Sequence, residues 1–512
     1  MNKIVFISLY DPICVGVRTL ISILKKRTNI TIYNILLKKD TSNNPVFKLN
    51  PTKTYSFFHL GILRNSITEA NPITFKEKTI LYNFLVKIKP DLICLSTRSF
   101  ALIISQELCT DIKKFLPGTQ LIAGGWGPTL EPEKFLEFCD YVVFGEGEKP
   151  IVDISKYIEK DKSHIKNIVY KNLDNVIIAN PVYPPLTNKE LNLLPFPDYG
   201  SDNEYLIDDN KLLNGKENLN FKIYNCYTGR GCLLSCSYCM SHMYIQLYLK
   251  YGFKCPKHRL RNVENIIKEL SIAKKRGSLF IRFLDEVFPF DKKWIENFLR
   301  EYKQKINLPF MAFIRPEFHN KDTIVQLQEC GLKVSIVGIQ SGSNRILVDI
   351  YNRNLSSESN IELAWLFKKL KLNFAYHMIN NNPFEKIDDL NKTLLMCYHL
   401  PYAPIDINRL VVFPNSHLEK MINNKKTTQL PLYIHDWYSL LYSMALQNNF
   451  YRKISKIIYK FRIAKKNPYI LQIFFIPFLI KEYWQRLRGV NKYNSKQISF
   501  IRNFYNRIKG KL

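Results

Sequence analysis

Acidic side chains are scarce in this chain of 512 residues: 44 Asp and Glu stand against 74 Lys and Arg, a net charge of +30. So one-sided a balance makes a surface drawn to something anionic, whether phospholipid, nucleic acid or a phosphorylated substrate. Long apolar runs are also missing. No stretch of about 20 apolar residues occurs, so a membrane-spanning helix is not expected. The eleven cysteines do not make the dense pattern of a small disulfide scaffold, since eight are scattered singly. The opening MNKIVFISLYDPICVG meets Asp11 too soon for the apolar core of a signal peptide. The expectation is a cytoplasmic protein with reduced thiols. None of the nine histidines sits in a nucleophile motif, which removes Ser–His–Asp chemistry.

The 46% of hydrophobic residues is ample for buried cores, and the length suggests two to four domains. Residues 1–155 alternate as an open α/β sheet does. KIVFISL, ITIYNILL, DLICLS, QLIAGG and YVVFG read as buried parallel strands, with helical stretches or turns between them. Glycines gather at the strand exits, where such sheets bind ligands. Residues 156–220 read as a connector, with a hairpin and then a proline-rich extended crossing. Residues 221–420 repeat strand and helix six times, which implies a partial barrel with its active site at the carboxyl ends of the strands. Residues 421–512 are helical, aromatic and basic, with sixteen Lys and Arg against one acid from Tyr451 onward.

One cluster of thiols stands out, in TGRGCLLSCSYCMSH. Cys232, Cys236 and Cys239 at this spacing suit a loop around a soft metal centre. Two centres compete. A structural zinc would add His242 as a fourth ligand. An iron–sulfur cube held by three cysteines leaves one iron open to a cofactor.

The signature C-x3-C-x-aromatic-C, here Cys232, Cys236, Tyr238 and Cys239, resembles that of the radical S-adenosylmethionine superfamily. The resemblance implies a 4Fe–4S cluster on the three cysteines, with S-adenosylmethionine chelated at the open iron and cleaved to a 5′-deoxyadenosyl radical. It leaves His242 outside the ligand set. Later strand ends match more loosely. By the resemblance, Asp285 and Glu286 of LDEVF face the amino group of S-adenosylmethionine, and Arg315 of FIRPE meets its carboxylate. VGIQSGS resembles the ribose turn, with Gly338, Gln340 and Ser341; Gln340 stands where Glu is more usual. Of the family's G-x-P-G-E turn, INNNPFE keeps Pro383 and Glu385.

Residues 1–155 resemble the cobalamin-binding domain that precedes this barrel in one subfamily. AGGWGPTLEPE and VFGEGE carry the likeness, through Gly124, Gly125, Thr129, Gly145, Glu146 and Gly147, with Ser96 at the third strand's exit. DPICVG keeps Asp11 and Gly16 of the motif D-x-H-x-x-G but has Ile13 in place of histidine, so the implied cobalamin has no imidazole below its cobalt.

The fold expected is therefore α/β: an N-terminal Rossmann-like cobalamin-binding domain, a partial (β/α)6 TIM-type barrel and a helical C-terminal region. The function expected is methylation of an unactivated carbon. A radical cyclase or rearrangement enzyme is the alternative, and a zinc-stabilised basic nucleic-acid-binding protein is the alternative from another class. The partners expected are a small-molecule or lipid-like substrate and an electron donor such as flavodoxin or ferredoxin. NPYILQIFFIPFLIKEYWQRLRG suits either a helix packed on the barrel or peripheral contact with the inner face of the membrane.

Overall fold

Strands with no polar break in sequence are buried on both faces, as in Lys3–Leu9, where six of seven residues are buried. The computed structural model describes residues 3–11, 13–27, 29–38, 57–59, 62–64, 71–157, 162–215, 222–254, 258–424 and 427–477. They fall into two compact units. One draws on residues within 1–41, 67–225 and 244–261; the other on residues within 42–66, 226–243 and 262–512.

In the first unit, five parallel strands run in the order Thr31–Leu37, Lys3–Leu9, Leu92–Ser96, Gln120–Gly124 and Tyr141–Val143. From Lys3–Leu9 the chain moves first to one side and later to the other. The topological switch point therefore lies between Lys3–Leu9 and Leu92–Ser96, where Ser8 stands opposite Ser96. Helices cover both faces. Leu81, Leu85, Leu108 and Ile112 fill one core, and Val17, Ile21, Leu24 and Ile151 the other.

The stretch expected to be a connector extends this sheet at both edges. Ile168–Lys171 and Ile177–Ala179 form the expected hairpin, antiparallel beside Tyr141–Val143. Glu204–Asp208 pairs in parallel with Thr31–Leu37 and turns back into Lys211–Asn214. Asp209 and Asn210, at the tip of that second hairpin, both take positive φ, as a tight two-residue turn demands.

The barrel sheet, whose strands from Phe280–Phe283 onward belong to the second unit, follows the order Ile223–Cys226, Phe280–Phe283, Phe310–Met311, Leu332–Gln340, Asn373–Asn380 and Ile405–Arg409, the sequence of a half-closed barrel. Pairing from Phe280–Phe283 onward is parallel. Helices Val263–Lys275, Lys292–Lys305, Lys321–Cys330 and Ser357–Lys369 connect them. Asn262, Asp291, Asn320 and Ser356 cap these helices, each side chain accepting an amide three residues on. A short hairpin, Phe57–His59 and Ile62–Arg64, adds antiparallel to Ile405–Arg409 at the barrel's edge.

Helix Leu432–Ala445 has twelve of its fourteen residues buried, so it belongs to the core of this unit. Among the described residues, no helix is long and apolar enough to cross a membrane. The part of the expected interfacial stretch from residue 478 on lies outside the described residues.

Candidate active site

Cys232, Cys236 and Cys239 occupy the loop after Ile223–Cys226, and helix Met240–Lys250 follows at once. Backbone bonds shape the loop: Cys239 N donates to Cys236 O at 3.1 Å, and His242 N to Cys239 O at 3.2 Å. The segment 350–352 clamps it from outside. Ser237 N donates to Tyr351 O (3.1 Å), Ser237 Oγ to Ile350 O (2.6 Å) and Asn352 Nδ2 to Ser235 O (3.0 Å). The ring of Tyr238 meets that of Tyr351 edge-on at 4.7 Å.

Cys232 and Cys236 are buried and Cys239 is half-buried. Burial pushes the Cys236 thiol up to about 11, against the pull of the Arg353 and Arg315 guanidiniums; Cys232 is raised too, by burial. Cys239 raises both of these thiols further, and Cys232 also raises Cys236. Among the described residues, no group of three or more His, Cys, Asp or Glu stands close enough to hold a single ion. The Cys3His zinc set is thus not assembled, whereas a cube of four irons spreads its thiolates more widely than one ion does. The donor set, three thiols on one buried loop with cations behind them, fits such a cluster.

The neighbouring strand ends divide into free and committed groups. Asp285 is committed. It accepts Thr228 N at 2.9 Å, Thr228 Oγ1 at 2.8 Å and Gly229 N at 2.8 Å, and so fixes the backbone that enters the cysteine loop. Burial, helped by Glu286 beside it, raises Asp285 to about 7 despite those donors. Glu286 is half-buried, with one oxygen 3.2 Å from Ser241 Oγ, and burial raises its carboxyl as well. Among the described residues, the Arg315 guanidinium is held at Nε, by the carbonyl of Glu286 at 3.3 Å. A Cβ at Gly338 would press on Gln340 Nε2 at 3.2 Å and stand in ordinary contact, 3.7 Å, with Arg315 Nη1. Gln340 sits at a register shift with φ 65°, an uncommon conformation for a residue with a side chain. Ser341 is buried and turned away: its hydroxyl accepts Ser343 N (3.2 Å) and lies 3.4 Å from Thr393 Oγ1.

Local patterns do not single out the Arg353–Glu317 pair. Arg353 is fully buried, donating to Glu317 Oε1 at 2.9 Å and to Gly338 O at 2.8 Å. Glu317 follows Arg315 in FIRPE and offered the one available signal.

In the first unit the expected cobalamin residues gather at the carboxyl strand ends. Asp11 Oδ1 accepts Ile13 N at 3.2 Å and Cys14 N at 2.9 Å, and Oδ2 pairs with Arg98 at 2.8 Å across the switch point. Its carboxylate is spent on shaping the loop. Buried Arg18 holds the Ile13 carbonyl at 3.0 Å. Ser96 ends its strand half-buried, and Gly124 pairs with it. Gly16 is the second residue of helix Val15–Arg27, where a Cβ would meet open space, and a Cβ at Gly147 would be in ordinary contact with Leu20. Gly125 is a true glycine position, with φ 106° and Thr97 O only 2.7 Å from where a Cβ would stand. Thr129 is buried and accepts Gly145 N at 3.2 Å. Glu146 is fully committed: it accepts Leu186 N at 2.6 Å and pairs with buried Arg259 at 2.9 Å. Three of the expected residues thus also shape the backbone: Asp11, Thr129 and Glu146.

Comparison with known proteins agrees with this division. The Radical SAM superfamily model matches residues 226–397, and the B12 binding domain model matches 73–155. The loop with Asp11 and Gly16 precedes the second match. No curated protein matches the chain significantly. Among solved structures, the radical S-adenosylmethionine methyltransferase TsrM from Kitasatospora setae, with cobalamin and a [4Fe-4S] cluster bound, is similar at a TM-score of 0.59. The two are 14% identical over 82% of this chain and 77% of that one. The cobalamin-dependent S-adenosylmethionine radical enzyme OxsB, with aqua-cobalamin bound, is similar at 0.56 and 19% identity, over 85% of this chain and 58% of that one. A 4Fe–4S cluster and S-adenosylmethionine go with the first matched domain, and cobalamin with the second. The chain therefore carries a radical SAM superfamily domain and, ahead of it in sequence, a B12-binding domain.

Proposed function

We propose that the chain methylates an unactivated carbon of a small-molecule substrate. The observation that carries this reading is that one polypeptide holds a three-thiol loop at the strand ends of its barrel and a B12-binding sheet. The same combination, over most of this chain's length, occurs in a structure described as a methyltransferase. When bound, the cluster supplies an electron that cleaves S-adenosylmethionine, and cobalamin supplies a carrier for the methyl group.

The residues take distinct tasks in this proposal. Cys232, Cys236 and Cys239 hold the cluster. Arg315, with most of its guanidinium free, binds the carboxylate of S-adenosylmethionine as a fork, and Glu286 accepts from its amino group. The strained Gln340 and the bare Gly338 receive the ribose. Asp285, Ser341 and Tyr238 position these groups: Asp285 through Thr228, Ser341 through Thr393 and Tyr238 through Tyr351. On the B12 side, Ser96, Gly124, Gly125 and Gly145 let a flat ring approach the backbone, and Ile13 leaves the lower face without an imidazole.

Anaerobic reconstitution with iron, sulfide and hydroxocobalamin tests the proposal, followed by S-adenosylmethionine and reductant. 5′-Deoxyadenosine and S-adenosylhomocysteine should appear together, and both should vanish in Cys236→Ala. Deoxyadenosine without S-adenosylhomocysteine would rule out methyl transfer.

A further inference from the structure

Among the described residues, helix Asn449–Phe461 is fixed to the barrel unit by one face. Ser455 and Ile458 are buried beneath it. Arg452 donates to Leu400 O at 2.7 Å and to Ala445 O at 2.8 Å, and Tyr459 Oη donates to Asn391 Oδ1 at 2.8 Å. These bonds set the helix's rotation, so what it turns outward is decided by its sequence.

That outward side is apolar and cationic at once. Phe450 and Phe461 are each 65% exposed and Ile457 is exposed between them, while Ile463, Ile470 and Ile473 are exposed in the chain that follows the helix. Single exposed apolar residues are ordinary, but six along one short segment are not. Lys453, Lys456, Lys460 and Lys466 are exposed among them. No acid occurs between Asp436 and Pro477.

We propose that this face docks on an anionic phospholipid surface. Large aliphatic and aromatic side chains enter the boundary between headgroups and acyl chains, while lysines beside them reach up to phosphates. The charge pattern selects this occupant. Nucleic acid would match the lysines, but it offers isoleucine nothing to pack against and would leave the apolar residues in water. A second copy of the chain would bury the apolar residues but would set lysines against lysines across a two-fold axis. An anionic lipid layer satisfies both sets of side chains. The stretch singled out by sequence, 467–489, lies outside the described residues from 478 on; the docking surface proposed is 449–473. This inference stands independently of the methyl-transfer reading.

The test uses the full-length reconstituted protein and two kinds of vesicle, phosphatidylcholine alone and phosphatidylcholine with phosphatidylserine. The protein should sediment with the second and not the first, and high salt should weaken the binding. Lys453→Glu with Lys460→Glu should weaken it roughly tenfold or more. Phe450→Ser with Ile457→Ser and Phe461→Ser should abolish it. Both variants should keep the wild-type iron content and far-UV circular dichroism, because all five side chains are exposed. The proposal is overturned by three outcomes: no binding to the anionic vesicles, equal binding to both kinds, or binding that folded variants leave unchanged. It is equally overturned if these residues instead govern binding to single-stranded nucleic acid or concentration-dependent dimerisation.

Discussion

Asp285 illustrates how one carboxyl can be both hydrogen-bonded and reluctant to ionise. Its donors favour the charged form, burial favours the neutral one, and burial prevails at about 7 against an ordinary 3.8. A folded-state value above the unfolded one means that this group stabilises the fold fully below about pH 4, and that the contribution is lost as the pH rises toward 7. Urea unfolding of the cluster-free protein across that range should show the decline, and Asp285→Asn should remove it. At neutral pH the same variant should cost about 1–3 kcal/mol, because an amide nitrogen in place of Oδ2 cannot accept from Thr228 N, which Oδ2 does at 3.1 Å. Glu146 gives a second prediction at this scale. Glu146→Gln leaves Arg259 buried without its counter-charge, at a cost of about 3–5 kcal/mol. Thermal unfolding should report it. The nature of the side chains was legible here, since the cysteine spacing and the acidic strand end pointed to the right loops. Their partners were not. Thr228 and Asp285 are 57 positions apart, as Glu146 and Arg259 are 113 apart, and no local pattern links such distances.

Elements with their own periodicity were legible. Unbroken Val, Ile and Leu runs became strands, and Asn, Asp and Ser became the helix caps their chemistry favours. What the pattern concealed was which sheet an element joins. Glu204–Asp208 has the composition of an edge, and only its pairing with Thr31–Leu37 makes it part of the first unit. The two residues Asp209 and Asn210 were the missed cue, since such a pair favours positive φ. Helix Leu432–Ala445 was assigned to a basic tail because of the lysines that follow it. Its own composition is apolar, and its charged residue is buried: Asp436 takes both its oxygens to Arg409 at 2.9 Å and receives Tyr469 Oη at 2.7 Å. Asp436→Asn should therefore destabilise this unit by about 3 kcal/mol or more, through the uncompensated guanidinium. Denaturant unfolding should show a lower midpoint without a changed slope.

At the scale of the whole molecule, the barrel's last two parallel strands depend on chain that lies beyond the matched Radical SAM residues. Asn380 Nδ2, at the end of Asn373–Asn380, donates to Ser439 Oγ at 2.8 Å, and Arg409, at the end of Ile405–Arg409, holds Asp436. Helix Leu432–Ala445 also buries Ile434, Trp437, Tyr438, Leu440, Leu441 and Met444. At about 1.5–3 kcal/mol per side chain, these six contribute about 9–18 kcal/mol of burial. Ordering the helix offsets much of this, but a domain's net stability is only about 5–15 kcal/mol, so loss of the helix is expected to destabilise the strands. A chain ending at residue 431 should lose its cooperative unfolding transition for the barrel unit, bind a hydrophobic dye and fail to retain iron after reconstitution. A sharp transition with full iron content would show that the strands hold themselves together, and that the helix is an addition to a finished barrel. The expected failure makes the helix the barrel's missing wall, and explains why the exposed lysines of the next helix must be probed by substitution and not by deletion.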